Sequence, residues 1–112
     1  WQGGDDADNQ WWRAKSADTF GPLGPHIVTD IDPQNVAIRG LVNGVEGQNC
    51  HSSEMLFSTA KSISFISKYA TLLPGDMLWT GTSGKTPPIN PGDTVTIEIE
   101  NVGVLENPVE SA

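Results

Sequence analysis

The amino-acid sequence predicts an α+β fold that is rich in β-structure and contains one main helix over about residues 54–69. Two patterns of apolar residues lead to this fold class. From Thr94 to Glu100 apolar and polar residues alternate strictly, as they do along a half-buried strand. Within 54–69 the apolar residues instead recur every three or four positions, as on one face of a helix. The length of 112 residues suits a single domain, which we expect to span 1–112.

The segment before residue 26 is predicted to be irregular. Residues 1–13 are rich in Gly, Asp and Trp, a composition typical of loops. Trp11 and Trp12 are too apolar for a free tail, so we expect them to cover the core or, as the alternative, a partner surface. Two prolines and two glycines within 21–25 exclude a helix there.

Several short strands are predicted between turn signals. Asn43-Gly44 is the clearest signal, because both residues tolerate the positive φ angles of a tight hairpin. Pro-Gly-Asp occurs twice, at 74–76 and 91–93, and we interpret both copies as turns with the same chemistry. The strands that these turns separate cover residues 26–29, 36–42, 45–50, 77–80 and 94–100, and a last strand starts at 104–105.

The predicted helix begins with a capping residue and ends before a turn. Ser52 or Ser53 can accept hydrogen bonds from the first free N–H groups, and Glu54 suits the positive end of the helix. The Pro-Gly-Asp turn at 74–76 prevents its continuation. The apolar positions at helical spacing are Leu56, Ala60, Ile63, Ile66 and Ala70.

Composition excludes several classes of partner. The formal net charge is -8, so the surface repels phosphate backbones and anionic lipid, and we expect no nucleic acid and no membrane partner. We also expect no membrane-spanning helix, because the sequence has no apolar run of about 18 residues. The single cysteine, Cys50, cannot form an internal disulfide, which favours a reducing compartment and therefore the cytoplasm.

Lys15 is the first candidate for chemistry. It follows two tryptophans and precedes Asp18 and a rigid Gly- and Pro-rich segment. A lysine that aromatic neighbours partly desolvate can hold an anionic oxygen or transfer a proton. The alternative is an ordinary surface lysine, with Asp18 either pairing with it or capping the turn that follows.

Thr80-Gly81-Thr82 is the second candidate, at the end of an apolar run. A glycine lets a ligand approach the backbone closely, and the hydroxyl and N–H groups around it can bind a carboxylate. The alternative is a turn that only terminates a strand.

No metal site is assigned to this chain from the spacing of its residues. Glu98 and Glu100 lie two positions apart on one face of a strand and can in principle bind a divalent cation. The simpler interpretation is a solvent-facing pair, because the alternating apolar residues take the buried face. His26 and His51 have no Cys or His at the spacing of a zinc site.

Short motifs that run through the whole chain occur together, in this order and spacing, in one enzyme family. They are Arg13-Ala14-Lys15-Ser16, Asp18-Thr19-Phe20-Gly21-Pro22-Leu23-Gly24-Pro25, Val42-Asn43-Gly44, Gln48, Met55-Leu56-Phe57, Leu73-Pro74-Gly75-Asp76, Thr80-Gly81-Thr82, Pro91-Gly92-Asp93 and Gly103-Val104-Leu105-Glu106-Asn107. From Gln2 to Val109 the chain closely resembles the C-terminal catalytic region of the fumarylacetoacetate hydrolase family. The resemblance implies the mixed β-roll or sandwich of that family, with one flanking helix.

The resemblance also implies an activity. Enzymes of this family use Mg²⁺, or sometimes Mn²⁺ or Ca²⁺, and act on small 2-oxo acids or 1,3-dicarbonyl compounds. They hydrolyse, decarboxylate or isomerise these substrates through an enolate held against the metal, which stabilises its negative charge. By resemblance, Lys15 is the catalytic residue beside the substrate oxygens and Gln2 lines the same pocket. Thr82, with Gly81, holds the carboxylate or carbonyl end of the substrate.

The chain departs from the family pattern in two respects. The family holds its metal with a Glu-x-Glu pair and an Asp that precede the matched region, so we expect no metal ligand from this chain. Thr96 stands where the founding hydrolase has a glutamate, which favours an isomerase, decarboxylase or acylpyruvate-type relative. We expect the family's first strands to be missing here, so that the chain pairs with that N-terminal segment or forms a homodimer. The alternative is a catalytically inactive fragment or a metal-free binding module of the same fold.

Overall fold

The structure of the protein is a computed structural model, which describes residues 9–111. Its centre is a four-stranded antiparallel sheet with the strand order β2-β1-β3-β4. The strands are β1 (Ala37–Val42), β2 (Val45–His51), β3 (Thr94–Ile99) and β4 (Gly103–Pro108). With two short helices beside this sheet, the predicted β-rich α+β fold class is confirmed.

The β1–β2 hairpin turns at Asn43-Gly44, as predicted, with φ angles of 51° and 76°. The Asn43 side chain also anchors the turn to the start of β3. Its Oδ1 accepts a hydrogen bond from the Thr94 N–H at 2.8 Å, and its Nδ2 donates to Asp93 Oδ1 at 2.7 Å. The second of these hydrogen bonds lowers the pKa of the Asp93 carboxyl.

A β-bulge interrupts the hairpin ladder. Gly40 pairs with Gln48 and Leu41 pairs with Glu46, so Gly47 is the extra residue without a partner across the ladder. The loop that follows residue 82 lies against this bulge: a Cβ placed on Gly47 would lie 2.6 Å from Cγ of Pro87. Glycine at position 47 therefore allows the loop to pass close to β2.

The two faces of the sheet differ in polarity. On one face Arg39 donates hydrogen bonds to Glu46 and to Glu98, each at 2.8 Å. The bond to Glu46 raises the pKa of Arg39 and lowers the pKa of the Glu46 carboxyl. On the other face, Ile97 lies opposite Gly40 and contributes to an apolar surface. The alternation that predicted β3 therefore separates a charged face from an apolar one.

Both Pro-Gly-Asp segments form the same turn, which confirms the interpretation of shared turn chemistry. The carboxylate of Asp76 accepts a hydrogen bond from the N–H of Leu73 at 2.8 Å. Asp93 accepts one from the N–H of Asn90 at 2.7 Å in the same way. The glycines of the two triplets have φ angles of 97° and 95°, which other residues rarely adopt.

The prediction of one helix over 54–69 is wrong in its extent. The structure has a single 3₁₀ turn at Ser52–Glu54, an irregular segment, and then helix α2 at Thr59–Ile66. Ser52 does not cap a helix, because its hydroxyl accepts a hydrogen bond from the Val36 N–H at 2.9 Å.

The helix α2 has its own end signals. Ser58 has an extended backbone, and its hydroxyl accepts a hydrogen bond from the Lys61 N–H at 3.2 Å, which caps the N-terminus. At the other end the Ser67 hydroxyl donates to the Ile63 carbonyl at 2.8 Å, so a side chain engages the helix backbone in the last turn. These two serines delimit α2, although the apolar spacing continues beyond both.

Three further expectations need correction. Residues 26–29 and 77–80 belong to no strand, since neither segment joins the sheet of the described residues. Part of the predicted N-terminal loop is helix α1, at Trp11–Ser16. Trp11 and Trp12 do not cover the core here, because they are 67% and 69% exposed.

No helix within residues 9–111 is long and apolar enough to cross a membrane.

Little of the described chain is buried. The buried apolar residues are Ala14, Val36 and Leu41, and the buried polar residue is Ser52. The accessible surface is 8933 Å², whereas a folded monomer of this mass exposes roughly 6,000 Å². The radius of gyration is 15.3 Å, compared with about 13 Å for a compact domain of this length. The chain therefore leaves an unusual amount of apolar surface open.

Candidate functional site

A cleft of about 220 Å³ lies between the apolar face of the sheet and the segment that precedes the 83–90 loop. Its floor comes from β1, β2 and β3, one end from the 3₁₀ turn, and the opposite wall from the Thr80–Ser83 segment. The residues that line it are Ile38, Gly40, Gln48, Cys50, His51, Ser52, Glu54, Met55, Thr80, Gly81, Thr82, Ser83 and Ile97. The floor is therefore mostly apolar, and hydroxyl and backbone groups are concentrated on one wall.

Gly81 and Thr82, both predicted as site residues, lie on that wall. Gly81 has a φ angle of 95°, which favours glycine, and no atom beyond its two chain neighbours lies within 4 Å of a Cβ placed on it. The space beside its backbone is therefore open to a ligand. Thr82 presents a hydroxyl at the same place.

Gln48 fixes this wall to the sheet. Its side-chain Nε2 donates one hydrogen bond to Thr82 Oγ1 at 2.8 Å and one to the Ser83 carbonyl oxygen at 2.6 Å. The sequence motifs included Gln48, but we did not predict this role for it. The sequence feature that could have indicated this role is a polar amide at a strand position that faces the apolar floor.

Lys15 is not among the residues that line the cleft. It is an exposed residue of α1, and its Nζ lies 5.2 Å from the centre of the Trp11 ring, one helical turn earlier. In the segment after Lys15, a Cβ placed on Gly21 would lie 3.8 Å from Cζ2 of Trp79, which precedes the cleft wall in sequence but does not itself line the cleft. Gln2, the remaining predicted site residue, lies outside the described residues.

The acidic pair considered as a metal site is engaged in other contacts. Glu98 forms the ion pair with Arg39, and Glu100 accepts a hydrogen bond from the Ala37 N–H at 3.2 Å. Between residues 9 and 111 no group of three or more His, Cys, Asp or Glu side chains is placed to hold a metal ion. The described side chains therefore do not fit a divalent cation by themselves.

Two other residues with reactive side chains contribute to the cleft. Cys50 is half-buried and lines the floor. His51 Nδ1 lies 2.7 Å from Ser53 Oγ and accepts a hydrogen bond from the Ser53 N–H at 3.3 Å, so it caps the 3₁₀ turn. These two contacts give His51 a structural role at the end of β2.

Comparison with known proteins identifies relatives that match most of the chain. A family model described as fumarylacetoacetate (FAA) hydrolase C-terminal matches residues 1–110. The crystal structure of 2-hydroxyhepta-2,4-diene-1,7-dioate isomerase from Mycobacterium marinum is 48% identical, with a TM-score of 0.88, over 90% of this chain and 40% of that one. The mitochondrial oxaloacetate tautomerase of Xenopus laevis is 44% identical over 89% of this chain and 34% of that protein.

A third relative was solved with ligands. The crystal structure of maleylpyruvate hydrolase from Sphingobium sp. SYK-6, in complex with manganese(II) ion and pyruvate, is 32% identical with a TM-score of 0.80. It is matched over 83% of this chain and 36% of that one. These relatives are named as isomerases, tautomerases and hydrolases of small acids. The chain spans between a third and a half of their length.

Proposed function

The chain belongs to the fumarylacetoacetate hydrolase family, whose C-terminal domain it matches over residues 1–110, and on this premise we propose that it forms one side of an enzyme active site. The proposed substrates are small 2-oxo or enolisable 1,3-dicarbonyl acids. The proposed reaction is isomerisation, hydrolysis or decarboxylation through an enolate. We further propose that residues 1–112 are a single unit of this catalytic domain.

One observation carries the proposal: Gly81 and Thr82 open onto a small cleft with an apolar floor. The open backbone at Gly81 and the Thr82 hydroxyl suit the carboxylate or carbonyl end of a substrate. The cleft of about 220 Å³ is smaller than the roughly 300–1,000 Å³ of pockets for drug-sized ligands. This volume belongs to only one side of the proposed active site.

We propose Lys15 as the catalytic residue. An ammonium group stabilises the negative charge that develops on an enol oxygen, and it can also return a proton to it. The support for this assignment is indirect: a Cβ placed on Gly21 would lie 3.8 Å from Cζ2 of Trp79, and Trp79 is followed in sequence by Thr80, which lines the cleft. We propose that Gln2 lines the same pocket.

A divalent cation, Mg²⁺ or in its place Mn²⁺ or Ca²⁺, belongs to the proposed enzyme. Manganese accompanies pyruvate in the maleylpyruvate hydrolase structure, which supports a metal in this family. Because the described residues do not offer three suitable ligands together, we propose that its ligands come from polypeptide outside this chain.

The large exposed apolar surface supports contact with further polypeptide. We propose that the remainder of a longer protein, or the second subunit of a homodimer, covers it. The most exposed large apolar residues are Ile27, Leu56, Tyr69, Val45, Trp12, Trp11 and Trp79. The unpaired Cys50 favours a reducing compartment, so we propose the cytoplasm as the location.

Turnover assays on the intact protein test this function. Oxaloacetate, acylpyruvates and hydroxymuconate-type dienes are offered with Mg²⁺ or Mn²⁺. Lys15→Ala is expected to lower kcat by about 10²- to 10⁴-fold, whereas the exposed Lys68→Ala serves as a matched control and leaves it unchanged. Turnover that persists both in Lys15→Ala and after chelation of the metal would contradict the proposed mechanism.

A non-catalytic binding module of the same fold is the second candidate. It is favoured by the position of Lys15, which does not line the cleft with Gly81 and Thr82. Calorimetric titration of the intact protein with Mn²⁺ and then pyruvate, together with the turnover assay, separates the two. Binding of the acid without metal and without turnover of any substrate would establish the second candidate.

A further inference from the structure

The hydrogen bond between Gln48 and Thr82 has a fixed direction. The Ser83 carbonyl oxygen can only accept, so the group of Gln48 that faces it at 2.6 Å must be the amide NH₂. The same nitrogen lies 2.8 Å from Thr82 Oγ1, so the second amide proton points to that hydroxyl. The Thr82 oxygen is therefore the acceptor in this contact.

A hydroxyl that accepts in one contact keeps its own proton for another. The Thr82 O–H proton cannot lie along the bond from Gln48, because a donor already occupies that direction. Thr82 lines the cleft, so the proton is available on that side. We propose that Gln48 is a positioning residue, which orients the Thr82 hydroxyl as a hydrogen-bond donor toward the substrate.

The position opposite Gln48 in the ladder supports this role. A Cβ placed on Gly40 would lie 3.3 Å from Gln48 Oε1, 3.4 Å from Gln48 Cβ and 3.6 Å from Ile97 Cδ1. A side chain at residue 40 would therefore push the amide away from Thr82. The half-buried amide also lies beside the apolar floor, where a lower local dielectric strengthens the hydrogen bonds that it makes.

The inference rests on the proposed function and specifies its ligand. A hydroxyl held as a donor suits a group that only accepts, and a carboxylate is such a group. An uncharged amide, which also presents N–H donors, suits it poorly. The site is thus expected to prefer a 2-oxo carboxylate to the corresponding 2-oxo amide.

Binding of pyruvate and pyruvamide to the intact protein tests this preference. Gln48→Glu keeps the shape of the side chain, but its carboxylate can only accept hydrogen bonds. The Thr82 hydroxyl then donates to this carboxylate and not to the substrate. We expect this substitution to raise the Kd for pyruvate by about 10- to 100-fold. Thr82→Val should have a similar effect, and Thr82→Ser a small one. Asn49→Ala, at the next residue of β2, is the matched control and should leave both affinities unchanged.

A double-mutant cycle separates orientation from mere support of the wall. If Gln48 acts through the Thr82 hydroxyl, Gln48→Ala combined with Thr82→Val weakens pyruvate binding no more than Thr82→Val alone. The inference would be overturned if the losses of pyruvate affinity in the two single variants multiplied in the double variant. Equal losses of affinity for pyruvate and pyruvamide would also overturn it. In steady-state kinetics, the variants of this cycle should raise the KM for the acid more than they lower kcat.

A ligand-free measurement keeps this inference distinct from the proposed function. The Gln48 side-chain NH₂ should exchange with solvent about 10-fold or more slowly than that of Asn101, an exposed turn residue, in NMR spectra, and Thr82→Val should abolish part of the difference. Equal exchange in both residues would overturn the orientation of Thr82 even where pyruvate binds. Slow exchange in a protein that binds no 2-oxo acid would instead refute the proposed function.

Discussion

Replacement of Ser52 by alanine is expected to destabilise the protein strongly for so small a change. Ser52 is 4% exposed and Val36 is 5% exposed, and the serine hydroxyl accepts the Val36 N–H at 2.9 Å. The backbone bond from the Ser52 N–H to the Val36 carbonyl, also 2.9 Å, does not depend on the side chain. It should hold the two segments together after the substitution, so the Val36 N–H stays buried without this acceptor.

The size of the effect follows from that burial. A buried donor that loses its acceptor costs about 1–3 kcal/mol. Urea unfolding of the intact protein should therefore show a lower midpoint with an unchanged slope for Ser52→Ala. Ser52→Thr retains the hydroxyl, and Ser53→Ala removes an exposed one, so both should stay within about 0.5 kcal/mol of wild type. A free energy of unfolding for Ser52→Ala within that same range would refute the reasoning.

Three further outcomes are expected. Gly47→Ala places a Cβ 2.6 Å from Pro87 and should cost about 1–3 kcal/mol in urea unfolding, whereas Gly21→Ala, with its nearest contact at 3.8 Å, should be neutral. The Asn43 amide lowers the pKa of Asp93 from 3.8, so the carboxylate stabilises the fold above that pH and loses its effect as the pH falls through the lower value. Asp93→Asn should therefore be less stable than wild type at pH 7, with a difference that shrinks below pH 3.8; a constant difference would refute this. Chelation should abolish turnover while circular dichroism stays unchanged, and Mn²⁺ should restore it.

The parts of the fold that local chemistry determines could be predicted from sequence. Asn43-Gly44 has few conformational alternatives, and the strict alternation before Glu100 indicates a strand with one buried face. The extent of the helix was predicted wrongly because apolar spacing indicates which side chains share a face and does not indicate where the helix begins. Ser58 starts α2 by accepting the Lys61 N–H, whereas we predicted Ser52 or Ser53 as the capping residue.

Pairing and contacts between distant residues could not be predicted. The apolar run at 77–80 indicates contact with other apolar groups, but a strand also needs a neighbour with free backbone groups. Gly81 and Thr82 could be singled out because a small, flexible turn is visible locally. The hydrogen bond from Gln48 to Thr82 joins residues that are 34 positions apart, and no local pattern reveals it. The position of the Lys15 amine depends on α1, which the sequence did not predict.

The bulge at Gly47 makes the two borders of the sheet unequal. β2 is a border strand, and the unpaired residue disturbs its row of backbone groups at the point where Pro87 lies against it. Such features discourage another strand from docking there. β4, the opposite border, pairs regularly with β3 along its whole length. A further strand from additional polypeptide is therefore expected to pair with β4 and not with β2.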